Sequence, residues 1–197
     1  MVFCLRKRTS WPVPALMNII QTEIPDVFIL EPRAFTDDRG FFFEAYNQRS
    51  FGPLGIRECF VQDNQSHSKK GVLRGLHFQA AQPQGKLVRA VNGEIFDVAV
   101  DLRSGSPTLG KWVGVRLSAA SRQMIWIPQG FAHGFYTLSE SADVQYKVTD
   151  FYAAQHERTL LWNDPEIAVA WPLQGDPILS EKDRAGMSFQ EACGSRR

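Results

Sequence analysis

An all-β domain, a sandwich or a barrel, is predicted by three features of this 197-residue chain. Short β-branched and aromatic runs recur at close spacing, Gly, Pro and Asn punctuate them, and no long run carries a helical period. Residues 27–30 (Val-Phe-Ile-Leu) form the first expected strand and residues 40–46 the second, followed by a short helix or loop around 48–51. Residues 60–64 and 72–79 come next. Residues 86–91 and 94–102 flank Asn92-Gly93, a dipeptide that favours a type I′ turn, so a hairpin is predicted there. In residues 112–117, Val113, Val115 and Leu117 alternate onto one face. Residues 123–127, 134–138 and 143–148 complete the series. From Trp162 onward, Pro165, Pro172 and Pro177 predict a wrapping segment with at most short helices.

The length suits one domain with a sizeable core. Lys plus Arg number 22 against 21 Asp plus Glu, a net charge of +1, so a polyanion such as nucleic acid is not an expected partner. Anion recognition must come from a few locally placed cations. Cys4, Cys59 and Cys193 are odd in number and far apart, which supports neither a disulfide framework nor a zinc site and points to the cytoplasm. No apolar run reaches membrane-spanning length. Residues 1–16 read as an N-terminal extension or a mis-assigned start: basic residues are followed by Trp11-Pro12-Val13-Pro14 before any signal-like apolar run develops. Residues 17–184 are the expected domain, and 185–197 a tail that is loose from Glu191 onward.

The chemistry concentrates in Val72-Leu73-Arg74-Gly75-Leu76-His77-Phe78-Gln79, where a guanidinium and an imidazole sit inside an expected strand. Burying either is costly unless a partner meets it. Only four histidines exist, at 67, 77, 133 and 156, so candidates for a general base are few. His77 needs an acceptor to orient it, and Asp63, Asp97, Asp164 and Asp183 all qualify by type. Arg74 and His77 lie three residues apart, on opposite faces of a regular strand, and Gly75 between them could permit a bulge or bend that turns both inward. Lys86 follows a turn and could stabilise an enolate oxygen in a pocket. Tyr146 shares parity with Val144 and Val148, which points its ring inward. His133 sits in a tight, glycine-flanked segment, whereas His67 and His156 read as exposed. No His-x-His pair surrounds His77, which disfavours a metal.

Taken together, Thr36-Asp37-Asp38-Arg39-Gly40-Phe41-Phe42-Phe43-Glu44, Val61-Gln62-Asp63-Asn64, the Arg74–His77 segment, Gln84-Gly85-Lys86-Leu87-Val88-Arg89, the segment around His133, Trp162-Asn163-Asp164-Pro165 and Leu179-Ser180-Glu181-Lys182-Asp183 resemble the dTDP-4-dehydrorhamnose 3,5-epimerase family. The resemblance spans about residues 17–184. It implies a cupin-like jelly roll, a homodimer, and epimerisation of a dTDP-4-keto-6-deoxyhexose without cofactor or metal. By the same likeness His77 is the base, Asp183 its orienting partner, Tyr146 the proton donor, and Lys86 the neighbour of the keto oxygen. Arg39, Glu44, Gln62, Asp63, Asn64, Arg74, His133, Glu157 and Lys182 then match substrate-contacting positions, and Tyr152 an aromatic that stacks on thymine. A mono-epimerase, a non-catalytic sugar-nucleotide binder and a metal-dependent oxygenase on the same fold are the alternatives.

Overall fold

The computed structural model describes residues 17–194; the N-terminal extension read from the sequence lies outside them. Thirteen strands dominate. They are β1 (Met17–Gln21), β2 (Phe28–Pro32), β3 (Phe35–Asp37), β4 (Gly40–Phe42), β5 (Gln62–Lys69), β6 (Leu73–Gln79), β7 (Lys86–Asn92), β8 (Glu94–Asp101), β9 (Trp112–Ser118), β10 (Met124–Ile127), β11 (Phe131–Thr137), β12 (Ser141–Val148) and β13 (Glu157–Thr159). The helices α1 (Gln48–Phe51), α2 (Glu181–Arg184) and α3 (Phe189–Gly194) are short. No described helix is long and apolar enough to cross a membrane.

Two antiparallel sheets form a jelly-roll sandwich, as the strand-rich pattern predicts. One has the order β1-β2-β10-β7-β12-β5, the other β13-β6-β11-β8-β9, and β3 and β4 form a separate hairpin. From β5 to β8 successive strands alternate between the sheets, and they do so again from β9 to β12, so the chain winds around the core.

That winding corrects one expectation. β7 and β8 form on either side of Asn92-Gly93, but they do not pair as a hairpin; they belong to opposite sheets. The cause is hydrophobic. Val88 and Ala90 of β7 face Ile95 and Ala99 of β8 across a shared core, which is buried only if the two strands face each other. Gly93 makes the crossing at φ +71°, where a Cβ would strike the Ser141 carbonyl.

Other boundaries differ for local reasons. The strand expected over 40–46 ends at Phe42, because Glu44 accepts hydrogen bonds from Asn47 Nδ2 and Ser50 Oγ (both 2.9 Å) and turns the chain into α1. β5 starts at Gln62 and runs to Lys69, far beyond the expected end at Asn64. Its alternate residues Gln62, Asn64, Ser66 and Ser68 are the more buried ones, so no apolar period marks it. Of the stretch expected as loose tail, the residues beyond Gly194 lie outside the described ones, and Glu191 to Gly194 are instead part of α3, whose Phe189 and Ala192 are buried. With Leu160 and Ile167 they cover Leu76, Phe78, Val98 and Val100 on the outer face of the five-stranded sheet.

Candidate active site

Inward-pointing polar residues gather at one end of the sandwich. On β6, Leu76 and Phe78 pack outward into the covering segment, which leaves His77 facing in. His77 of β6 lies opposite His133 of β11 while Arg74 lies opposite Phe135, so three steps on β6 match two on β11. This is the bulge that Gly75 was expected to permit. Gly75 has φ +117°, and a Cβ there would meet Gly134 Cα at 2.6 Å and the His133 carbonyl at 2.8 Å. Only glycine fits between these two strands.

Asp183 arrives from α2. Residues 71–73 hold the chain before that helix: Ile178 N donates to the Gly71 carbonyl (2.8 Å) and Leu73 N to the Ile178 carbonyl (3.0 Å). Ser180 caps α2, accepting from Asp183 N and donating to Asp183 Oδ2 at 2.7 Å. Asp183 Oδ1 then lies 2.6 Å from His77 Nε2. Burial works against the Asp183 charge, but hydrogen bonds from His77 and Ser180 win and hold its carboxyl below the usual value. An ionised Asp183 accepts, so His77 Nε2–H donates and Nδ1 keeps its lone pair. Burial also pushes the His77 pKa below the ordinary imidazole value, against the pull of Asp183, and the cations Lys182 and Lys86 add to the lowering. His77 is therefore a neutral, oriented base at neutral pH.

The other sheet supplies the opposing wall. Lys86 of β7 and Tyr146 of β12 join His77, Gln62, Asn64, Tyr152 and Glu157 around a cavity of about 230 Å³. Lys86 is buried, and its Nζ donates only to the His77 carbonyl, at 3.4 Å, among the described residues. Desolvation lowers its pKa to about 8 although Asp97 and Glu157 oppose the shift. The Tyr146 phenol is pushed up, first by burial, so it is a neutral donor. A larger open groove of about 1210 Å³ runs past Ile24, Trp112 and Arg116, but no histidine lines it. Size does not mark the site here; the converging acid and base groups do.

The remaining candidates divide. Glu157 bridges the cavity rim, accepting from Lys182 Nζ (2.7 Å) and from the Tyr152 hydroxyl (3.0 Å). Arg74 lies outside the cavity lining, held by Ser68 Oγ (2.9 Å) and the His67 carbonyl (3.1 Å), yet its charge reaches Tyr146. Asp63 points away and pairs with Lys147. Arg39 is exposed at the β3–β4 turn beside Asp37, and Glu44 braces α1; neither lines the cavity of its own chain. His133 is buried against Asp97, with Nε2 2.8 Å from Oδ2. His67 is exposed as expected, whereas His156 is partly buried.

Among the four acids that residue type left open, Asp183 is the one that reaches His77. Asp63 is engaged with Lys147, Asp97 with His133, and Asp164 with the backbone N–H groups of Glu166, Ile167 and Phe189. The sequence reading did not place Asp97 beside His133 or give Ser180 a role. Asp97 carried a usable signal: it shares parity with Ile95 and Ala99, so a carboxylate was due in the core.

Known relatives match nearly the whole of this domain in sequence and in fold. Residues 21–191 match the family described as dTDP-4-dehydrorhamnose 3,5-epimerase. The Pseudomonas aeruginosa protein of that name is 62% identical over 177 residues, covering 89% of this chain and 98% of that one. A Legionella pneumophila epimerase, solved with dTDP-4-keto-L-rhamnose, superposes with a TM-score of 0.87 at 52% identity, covering 88% of this chain and 93% of that one. A 3'-monoepimerase from Streptomyces bikiniensis, solved with dTDP-quinovose, superposes with a TM-score of 0.81 at 30% identity, over 87% of this chain and 88% of that one. These matches, each spanning nearly the whole domain, show that the chain belongs to the dTDP-4-dehydrorhamnose 3,5-epimerase family.

Proposed function

We propose that this chain converts dTDP-4-dehydro-6-deoxy-D-glucose to dTDP-4-dehydro-L-rhamnose by epimerisation at C3 and C5. One observation carries the reading: an oriented base, His77, and a phenol, Tyr146, stand on opposite sheets and line one cavity. The substrate's 4-keto group acidifies the hydrogens on both neighbouring carbons. His77 Nδ1 takes one of them, and the C–H electrons move into the carbonyl to form an enolate. The Lys86 ammonium stabilises the enolate oxygen. Tyr146 returns a proton to the opposite face, which inverts the carbon, and both residues re-equilibrate with solvent. Repetition at the second carbon gives the double epimer. The carbonyl is the electron sink, so the step balances without a redox partner.

Substrate recognition is proposed at the rim. Gln62, Asn64, Glu157 and Lys182 offer hydrogen bonds to sugar and phosphate oxygens, and Arg74 a cation for the diphosphate. Tyr152 is 55% exposed, which leaves its ring face open for thymine. Proton NMR of dTDP-4-keto-6-deoxyglucose with the protein in deuterated water should show the C3 and C5 proton signals disappear as L-rhamno product forms. Exchange at one carbon alone would make it a mono-epimerase, and tight dTDP binding with no exchange a non-catalytic binder.

The proposal includes a homodimer, working in the cytoplasm as the odd number and wide spacing of the cysteines suggest. The β3–β4 hairpin exposes Phe35, Phe41 and Phe42, the last at 70%. Contiguous exposed aromatics of this kind belong at an interface. A second chain covering the hairpin would also carry Arg39, at its tip, out of solvent. Sedimentation equilibrium should give twice the chain mass, and Phe42→Asp should shift the protein toward monomer. A monodisperse monomer at micromolar concentration would refute the dimer.

A further inference from the structure

The buried carboxylate of Asp97 has no part in the reaction just described. Its side chain is fully buried on β8, with Oδ2 2.8 Å from His133 Nε2. Its Oδ1 is also buried and makes no hydrogen bond among the described residues. An ionised carboxylate with one oxygen unmatched is costly in a core, and such a group calls for an explanation. Asp97 shares parity with Ile95 and Ala99 and Lys86 with Val88 and Ala90, so both point into the core between the two sheets, where Lys86 is buried and, among the described residues, has no carboxylate within ion-pair distance.

We propose that Asp97 is a positioning residue for the epimerisation: it orients His133 and is the buried counter-charge that faces Lys86 across the sandwich. The inference rests on the proposed function and deepens it. Lys86 can stabilise an enolate oxygen only while it is charged, and burial drives it toward the neutral amine. The groups that act on it come from every wall. Asp97 of β8 and Glu157 of β13 favour the charged form, and Lys182 of α2 disfavours it. His77 of β6 and Tyr146 of β12 also line the cavity with Lys86, but both are neutral at neutral pH. Glu157 is already engaged with Lys182 and Tyr152, so much of its charge is committed at the rim. Among the described residues the Asp97 carboxylate has only a histidine as partner, which leaves its charge available to Lys86.

The sign of the effect follows directly. Lys86 is charged below its pKa of about 8, so the rate should fall as pH rises through that value. Asp97→Asn removes the opposing charge while keeping shape, so Lys86 loses its proton at lower pH. The alkaline limb of the kcat/KM profile should then move acidward by about one pH unit, the usual effect of losing a nearby opposite charge. Asp97→Ser, which leaves room for water, serves if the Asn variant does not fold. An alkaline limb in the same place in a folded variant would overturn the proposal, even if the rate fell evenly at every pH. Failure of the unsubstituted protein to exchange protons at any pH is a separate result. It would remove the epimerase reading and this inference with it.

Discussion

Asparagine at position 77 should abolish proton exchange at both C3 and C5 of the 4-keto sugar nucleotide. Loss of a positioned general base costs on the order of 10³-fold in rate, within the ordinary range for proton transfer by a side chain. Asparagine is too short to reach Asp183, which bonds the remote Nε2, but Asp183 keeps the hydrogen bonds from Ser180 Oγ and Gly75 N, so that carboxylate is not left buried and alone. The neighbouring core, Leu76 and Phe78 on the outer face, is untouched. The fold should therefore survive, which circular dichroism and thermal melting can verify. Deuterium uptake at either carbon by a folded His77→Asn protein would mean that another group removes the proton. Because one base serves both carbons in this scheme, loss at one position alone would also contradict it.

Tyr146→Phe should separate exchange from inversion. His77 and Lys86 remain, so a proton can still leave and return on the same face, and solvent deuterium should still enter the substrate. Product should form about 10²-fold more slowly, because the donor on the opposite face is gone. The Tyr146 hydroxyl makes no protein hydrogen bond among the described residues, so its loss should cost little stability. Turnover at the unsubstituted rate would place the second proton donor elsewhere. Equal loss of exchange and inversion would make the phenol part of proton removal instead.

Much of the strand pattern was legible before folding. Alternation in residues 112–117 and 143–148 marked strands because an apolar core sits on one side of each. β5 escaped for the opposite reason. Its inward face is built from Gln62, Asn64, Ser66 and Ser68, and a strand whose buried face is polar has no apolar period to read. Two of those positions, Gln62 and Asn64, line the cavity, so the pattern failed where function displaced packing. The Asn92-Gly93 hairpin failed differently. The dipeptide does make a tight connection, but turn chemistry cannot say whether the next strand pairs beside the last or crosses to face it. Burial of Val88 and Ile95 against a shared core decides that.

By itself, the amino-acid order determined which groups were available: a base segment at Arg74–His77, a lysine at a strand start, a tyrosine in register with core valines, and a glycine at 75 that permits a bulge. These are local properties, set by side-chain chemistry and by the two-residue period of a strand. Only the tertiary structure decided which acid meets His77, because Asp183 is 106 residues away and reaches it through the capping of a four-residue helix docked on β6. It also decided that Asp97 answers His133 and that Arg39 and Glu44 stand apart from their own chain's cavity. Pairings of that kind depend on how two sheets close over a common core, and closure is a property of the whole chain rather than of any segment in it.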